Sequence, residues 1–246
     1  MHNLGHTRSS HQSNHLVLTA DTFVRAPLPG MKGCTAVVHA GPALGAKFAQ
    51  YTAEFEVGGE LGTTAVQRFM FVLEGGVRLE VDGKQSELGE RGYAYLPEGM
   101  QHRAVATKPS RVIVIEKPYQ ALASVEAPPA MVSSEDTVSS HPLGDDPSLQ
   151  VKCLLPEGMN FDFAVNTMVY QPGAALSMVE MHVMEHGLVM LEGGGIYRLG
   201  DSWYPVTAGD FVWMGPWCPQ WFGAIGKKPA KYLIYKDWNR HPLDNR

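Results

Sequence analysis

The chain has 246 residues, 44% of them hydrophobic and 18% charged, with a formal net charge of -5. That length accommodates one large domain or two small ones, either able to bury a core without disulfides or structural metal. No basic run exceeds Lys227-Lys228, no apolar run approaches the roughly 20 residues a bilayer demands, and Cys34, Cys153 and Cys218 are odd in number and far apart. These features argue against a nucleic-acid binder, a membrane-spanning chain and a disulfide framework, and they favour a reducing cytoplasm.

Residues 1–20 are polar and carry His2, His6, His11 and His15. No carboxylate or thiolate among them completes a metal site, so they read as an extended, solvated arm. Beyond the arm, Gly 26 and Pro 17 punctuate short apolar runs, which is the pattern of an all-β chain. Phe71-Val72-Leu73-Glu74-Gly75-Gly76 opens the first clear unit. It continues through a strand-like stretch, an Asp82-Gly83 turn, the aromatic run Gly92-Tyr93-Ala94-Tyr95-Leu96 and a proline turn ending at His102. A Pro/Ser/Asp-rich connector follows, from Ala127-Pro128-Pro129 to Asp145-Asp146-Pro147.

The unit then recurs. Val189-Met190-Leu191-Glu192-Gly193-Gly194 leads through Gly200-Asp201 and Gly209-Asp210-Phe211-Val212-Trp213 to Gln220, with Leu73 to Leu191 and His102 to Gln220 both 118 residues apart. Two similar β domains are expected, at 21–140 and 141–246. The five tryptophans all fall in the second, and Trp217 and Trp221 flank Gln220.

The chemistry concentrates in Glu180-Met181-His182-Val183-Met184-Glu185-His186-Gly187. On a helix, His182 and His186 would share a face and His182-x-x-Glu185-His186 would match an inverted zinc-protease motif. On a strand, Glu180 and His182 share a face, and His186 comes from beyond a turn or from the start of the next strand. The strand reading is preferred. Gly173, Gly187 and Gly193-Gly194-Gly195 interrupt any long helix, the matching Phe69–Leu73 run is strand-like, and a helix leaves the repeat unexplained. Gln220 would approach from the later strand. Two imidazoles, a carboxylate and an amide oxygen form an N/O donor set suited to Mn²⁺ or Fe²⁺, with Zn²⁺ or Ni²⁺ as alternatives.

Gly92, Pro97, Gly99 and His102 resemble the second conserved motif of cupins, but the first motif is absent from that half: the positions matching Glu180, His182 and His186 are Gly62, Thr64 and Arg68. His102 therefore reads as structural. The second half resembles a cupin site with permuted ligands. The Glu-x-His-x-x-x-His-Gly string and the Tyr232–Arg240 tail resemble the (S)-ureidoglycine aminohydrolase family, with a likeness running from about Pro27 to Pro242.

That resemblance implies a fold of two tandem cupin domains, jelly-roll-like β-barrels. It implies manganese held by Glu180, His182, His186 and Gln220, and a pocket lined by Tyr197, Tyr232 and Lys236. The implied reaction is hydrolysis of ureidoglycine to ureidoglycolate and ammonia. Lys236 would pair with the carboxylate of a small ureido substrate, and Glu180 would move the proton that departing ammonia needs. A non-haem iron dioxygenase and a non-catalytic small-molecule-binding bicupin are the rival readings. Exposed sheet edges lead to the expectation of a homo-oligomer with closed symmetry.

Overall fold

The computed structural model describes residues 6–241. His2 and Pro242 lie outside the described residues. The chain divides into two compact units: Met1–Phe23 together with Ser139–Arg246, and Val24–Val138. Each is built of antiparallel strands, with short 3₁₀ turns between them among the described residues. This is the all-β architecture of two similar domains that the repeat implied, in keeping with the tandem cupin fold that the resemblance implied.

The strands that matter for the site, in chain order, are β1 (His15–Leu18), β2 (Ala49–Leu61), β3 (Gln67–Glu74), β4 (His102–Ala106), β5 (Ser110–Lys117), β6 (Phe163–Tyr170), β7 (His186–Glu192), β8 (Gly194–Leu199), β9 (Phe211–Met214), β10 (Gln220–Ala224) and β11 (Ala230–Asp237).

In the Val24–Val138 unit, β5 lies between β2 and β3, and the core is a continuous cluster that includes Tyr51, Phe55, Met70, Val72, Leu96, Val112 and Val114. β3 and β5 are buried on both faces, which is why they read as nearly unbroken apolar runs instead of alternating ones.

In the other unit, β11 lies between β6 and β7, β7 pairs with β9, and β8 pairs with β10. Period-two alternation sends Met168 and Tyr170 of β6 and Tyr232 and Ile234 of β11 to one inner face, where they pack with Tyr197, Leu199 and Phe222. Tyr170, Tyr232 and Phe222 pack edge-on or tilted, with ring centroids 4.9–5.7 Å apart. Phe163 and Tyr235 take the opposite face.

The repeat is visible in backbone detail. Gly75 and Gly193, 118 residues apart, adopt φ of 90° and 64°, and a Cβ would strike Ser110 and Pro109 in one unit and Pro229 in the other. Only glycine allows the chain to turn back so closely there.

The N-terminal segment differs from expectation. Its end, His15–Leu18, is not a solvated arm: β1 pairs with the edge of β9, from Leu18↔Phe211 to His15↔Met214, and Val17 is fully buried. His15 is buried as well, with Nε2 2.9 Å from the Tyr204 hydroxyl. Arg8 donates two hydrogen bonds, of 2.6 and 3.0 Å, to the buried Asp210 carboxylate. The alternating His-Leu-Val-Leu run supplies the apolar side that an unpaired sheet edge lacks, so pairing is favoured over solvation.

Candidate metal and substrate pocket

The segment carrying Glu180 and His182 is irregular and non-helical. It runs beside β10, to which backbone hydrogen bonds tie it. Leu176 N donates to Phe222 O, and Glu180 and Gln220 exchange two bonds of 2.8 and 2.9 Å. Trp217 N donates to His182 O. Glu180 and Gln220 therefore sit as a directly opposed pair, and His186 enters as the first residue of β7. This is the strand-type geometry, with His186 at the start of the next strand.

All seven residues singled out in the sequence line one cavity of about 130 Å³: Glu180, His182, His186, Tyr197, Gln220, Tyr232 and Lys236. The remaining wall is apolar, with Leu143, Met168, Leu176, Met184 and Ile234. Neither Trp217 nor Trp221 lines it. Trp217 is exposed, and the Trp221 indole donates to Leu176 O. The cavity holds roughly four waters' worth of volume and is well below the usual range of drug-sized pockets, so it suits a substrate of a few heavy atoms.

Two observations test whether these residues fit a metal. The His182 and His186 Nε2 atoms face each other at 3.3 Å, and the Gln220 amide group lies 2.9 Å from His182 Nε2. The Nδ1 atoms of both histidines are buried with no hydrogen-bond partner. If each Nδ1 carries the ring proton, two lone pairs point at one another, an arrangement that a cation between them relieves. Burial, then His182 and Lys236, hold His186 well below the ordinary imidazole value, and a neutral ring is the form that ligates. An amide can present its oxygen as readily as its nitrogen.

Glu180 stands 3.9 Å from His182 Nε2 with its side chain 40% exposed. Among the described residues no three His, Cys, Asp or Glu side chains form a closed cluster. The donor set fits a mixed N/O metal through two imidazoles, one partly exposed carboxylate and one amide.

Opposite these donors, Lys236 of β11 is directly across from His186. Burial pulls its ammonium below the usual lysine value, against Cys153, Glu180 and Glu157, which raise it. Burial first, then neighbouring groups led by Tyr170, pushes Tyr197 and Tyr232 well above the ordinary phenol value, so both stay protonated. Tyr170, which sequence reasoning missed, meets the Tyr232 hydroxyl at 2.6 Å. Glu185 was singled out only within the protease-like string; it is fully buried and accepts from Trp213 Nε1 at 2.8 Å, anchoring the backbone next to His186.

The corresponding place in the Val24–Val138 unit holds a side-chain cation. Arg68 takes the position of His186, and its guanidinium donates to Gly62 O and His102 at 2.6 Å each and to Glu116 at 2.6 and 2.8 Å. His102 also lies 2.8 Å from Met100 O through Nδ1, leaving its ring no free position for a ligand.

Family models match both halves: a Cupin domain at residues 166–235 and an EutQ-like cupin domain at residues 43–119. A rice protein described as "Probable (S)-ureidoglycine aminohydrolase" (Oryza sativa subsp. japonica) is 39% identical over 97% of this chain and 78% of its own length. The (S)-ureidoglycine aminohydrolase of Arabidopsis thaliana is 38% identical over 97% of this chain and 80% of its own. Among solved structures, a putative glyoxylate-induced protein from Pseudomonas aeruginosa superposes with a TM-score of 0.88 at 30% identity, covering 98% of this chain and 94% of that one.

Proposed function

The chain belongs to the (S)-ureidoglycine aminohydrolase family of two-cupin proteins, and from that premise we propose that it releases ammonia from (S)-ureidoglycine to give (S)-ureidoglycolate, a step of purine and allantoin breakdown, with manganese as the working ion. The observation that carries the reading is the convergence of Glu180, His182, His186, Tyr197, Gln220, Tyr232 and Lys236 on one small cavity.

In this reading Glu180, His182, His186 and Gln220 hold the metal, which when bound supplies Lewis acidity at the cavity wall. The other groups fix a substrate that carries a carboxylate, an amine and a ureido group on one carbon. Lys236 pairs with the carboxylate, a compact ammonium being suited to such a point contact. Tyr197 and Tyr232 present hydroxyls able to donate to or accept from the ureido group, and the Tyr170 hydroxyl braces that of Tyr232.

Overall, the carbon–nitrogen bond to the amine breaks and a carbon–oxygen bond to water forms. One proton must leave the water and one must reach the departing ammonia. In this reading Glu180, whose side chain is 40% exposed, carries it. Leu143, Met168, Leu176, Met184 and Ile234 give the remaining wall an apolar surface.

Ammonia release from freshly generated (S)-ureidoglycine tests the proposal, with metal-stripped protein compared before and after Mn²⁺ is added. Release well above the spontaneous rate, dependent on Mn²⁺, is expected. Metal uptake without release would discard the substrate, and oxygen consumption with Fe²⁺ and a catechol or thiol would then favour the dioxygenase rival.

A further inference from the structure

Asn166 is the one amide on the inward face of β6, between Ala164 and Met168 in a run that is otherwise mostly apolar. It is 6% exposed. A buried amide is costly unless both its ends are hydrogen-bonded. One orientation achieves this: the amide nitrogen donates to Val165 O at 3.0 Å, and the oxygen accepts from Lys236 Nζ at 3.1 Å. The register explains the meeting. Asn166 pairs with Ile234, and Lys236 is the next inward residue along β11, a diagonal neighbour within reach of a long side chain.

The chemistry of the partner matters. An amide oxygen fixes the ammonium without cancelling its charge. It uses one of three N–H donors and leaves two for a ligand. A carboxylate at residue 166 would hold Lys236 as well but would neutralise it.

Resting on the reading above, we propose that Asn166 is a positioning residue that aims the Lys236 ammonium into the cavity without itself neutralising it, and so makes the cavity select ligands bearing a carboxylate.

The test compares two non-reacting probes of one skeleton, N-carbamoylglycine and its neutral amide N-carbamoylglycinamide, by titration calorimetry on Mn²⁺-loaded protein. Wild type should bind the acid more tightly by roughly tenfold or more, the worth of one charge-assisted contact. Asn166→Asp keeps the side-chain shape and should erase that preference while leaving manganese content and affinity for the neutral probe unchanged. Lys236→Met should erase it too. KM for (S)-ureidoglycine should rise in Asn166→Asp in step with the lost preference.

An Asn166→Asp protein with the wild-type preference would overturn the proposal, as would a wild type that does not distinguish the probes. A wild type that prefers the acid and loses the preference on Asn166→Asp, yet releases no ammonia from ureidoglycine, would support the role of Asn166 and overturn the reaction instead.

Discussion

Lys236 shows how one side chain is made available for binding. Its neighbours on the adjoining strands are His186 and, diagonally, Asn166, so the strands flanking it bring no carboxylate against the charged end, and Glu180 and Glu157 act on it from outside those strands. Lys236→Met keeps most of the stem and its packing while deleting the charge. We expect manganese content to be unchanged and KM for (S)-ureidoglycine to rise by roughly 10–100-fold, as befits a lost hydrogen bond to a charged group. Unchanged kinetics would remove Lys236 from the site. Glu180 has a different signature. Being 40% exposed, it contributes little packing, so Glu180→Gln should leave thermal stability near that of wild type. Metal affinity should fall by more than the roughly 10–100-fold that losing an outer-shell partner costs. Metal analysis after dialysis checks this, and a fully loaded variant would sink the assignment of Glu180 as a ligand.

At the scale of the elements, the sequence revealed the doubled unit because turn chemistry and strand pattern are local: Leu73 and Leu191, or Gly75 and Gly193, announce themselves without knowledge of the fold. It also identified residues that reach the cavity, since His186 and Gln220 each begin a strand whose counterpart in the repeat begins at or next to the matching position, and Glu180 and His182 lie just before the first of them. Strand pairing was not legible. A constant offset of 118 places Pro118 opposite Lys236 in the repeat, yet the registers His186↔Lys236 and Arg68↔Glu116 make Glu116 the true counterpart. The loop at 225–229 is two residues longer than that at 107–109, and this shifts everything after it. Asn166 and Tyr170 escaped notice for the same reason: a lone amide in an apolar run is a signal, but its partner is a matter of register. The pairing of β1 with β9 was hidden likewise, because four alternating residues form a strand only when an edge is there to receive them. The Arg68–Glu116 pair carries a prediction. The Arg68 side chain is 3% exposed and that of Glu116 19%, and the Tyr51 hydroxyl also donates to Glu116. Arg68→Met would strand a mostly buried carboxylate and leave His102 without its donor. Stability should fall by roughly 3 kcal/mol, as when one partner of a buried pair is removed. Urea unfolding measures it, and a loss below about 1 kcal/mol would mean the pair is solvated in the manner of surface ion pairs.

For the whole molecule, the pH dependence of folding follows from buried imidazoles. His39, at 5% exposure, lies with Nε2 2.8 Å from the Thr52 hydroxyl. Burial, and to a lesser degree Arg111, lowers its pKa from 6.5 to about 3. His102 is lowered by burial and by Arg68, and His15 by burial and by His11. The sign is the same for all three. In the unfolded chain each imidazole takes a proton near its ordinary value, while in the folded chain it stays neutral to lower pH. The unfolded state thus binds more protons, and stability is lost as pH falls from about 6.5 toward 3. A carboxylate such as Asp146, lowered by its bonds to Ser148, acts in the same direction but only below the ordinary carboxylate range. The window between pH 6 and 5 therefore belongs to histidine. His39→Leu removes one titrating group, and the slope of unfolding free energy against pH should flatten there by roughly 1 kcal/mol per pH unit, close to one proton's worth. All five tryptophans lie between residues 203 and 238, outside the unit that holds His39, so circular dichroism should follow the unfolding in preference to tryptophan fluorescence. Parallel slopes for wild type and His39→Leu would show that His39 is protonated in the folded state as readily as in the unfolded one, and its burial would then have no part in acid sensitivity.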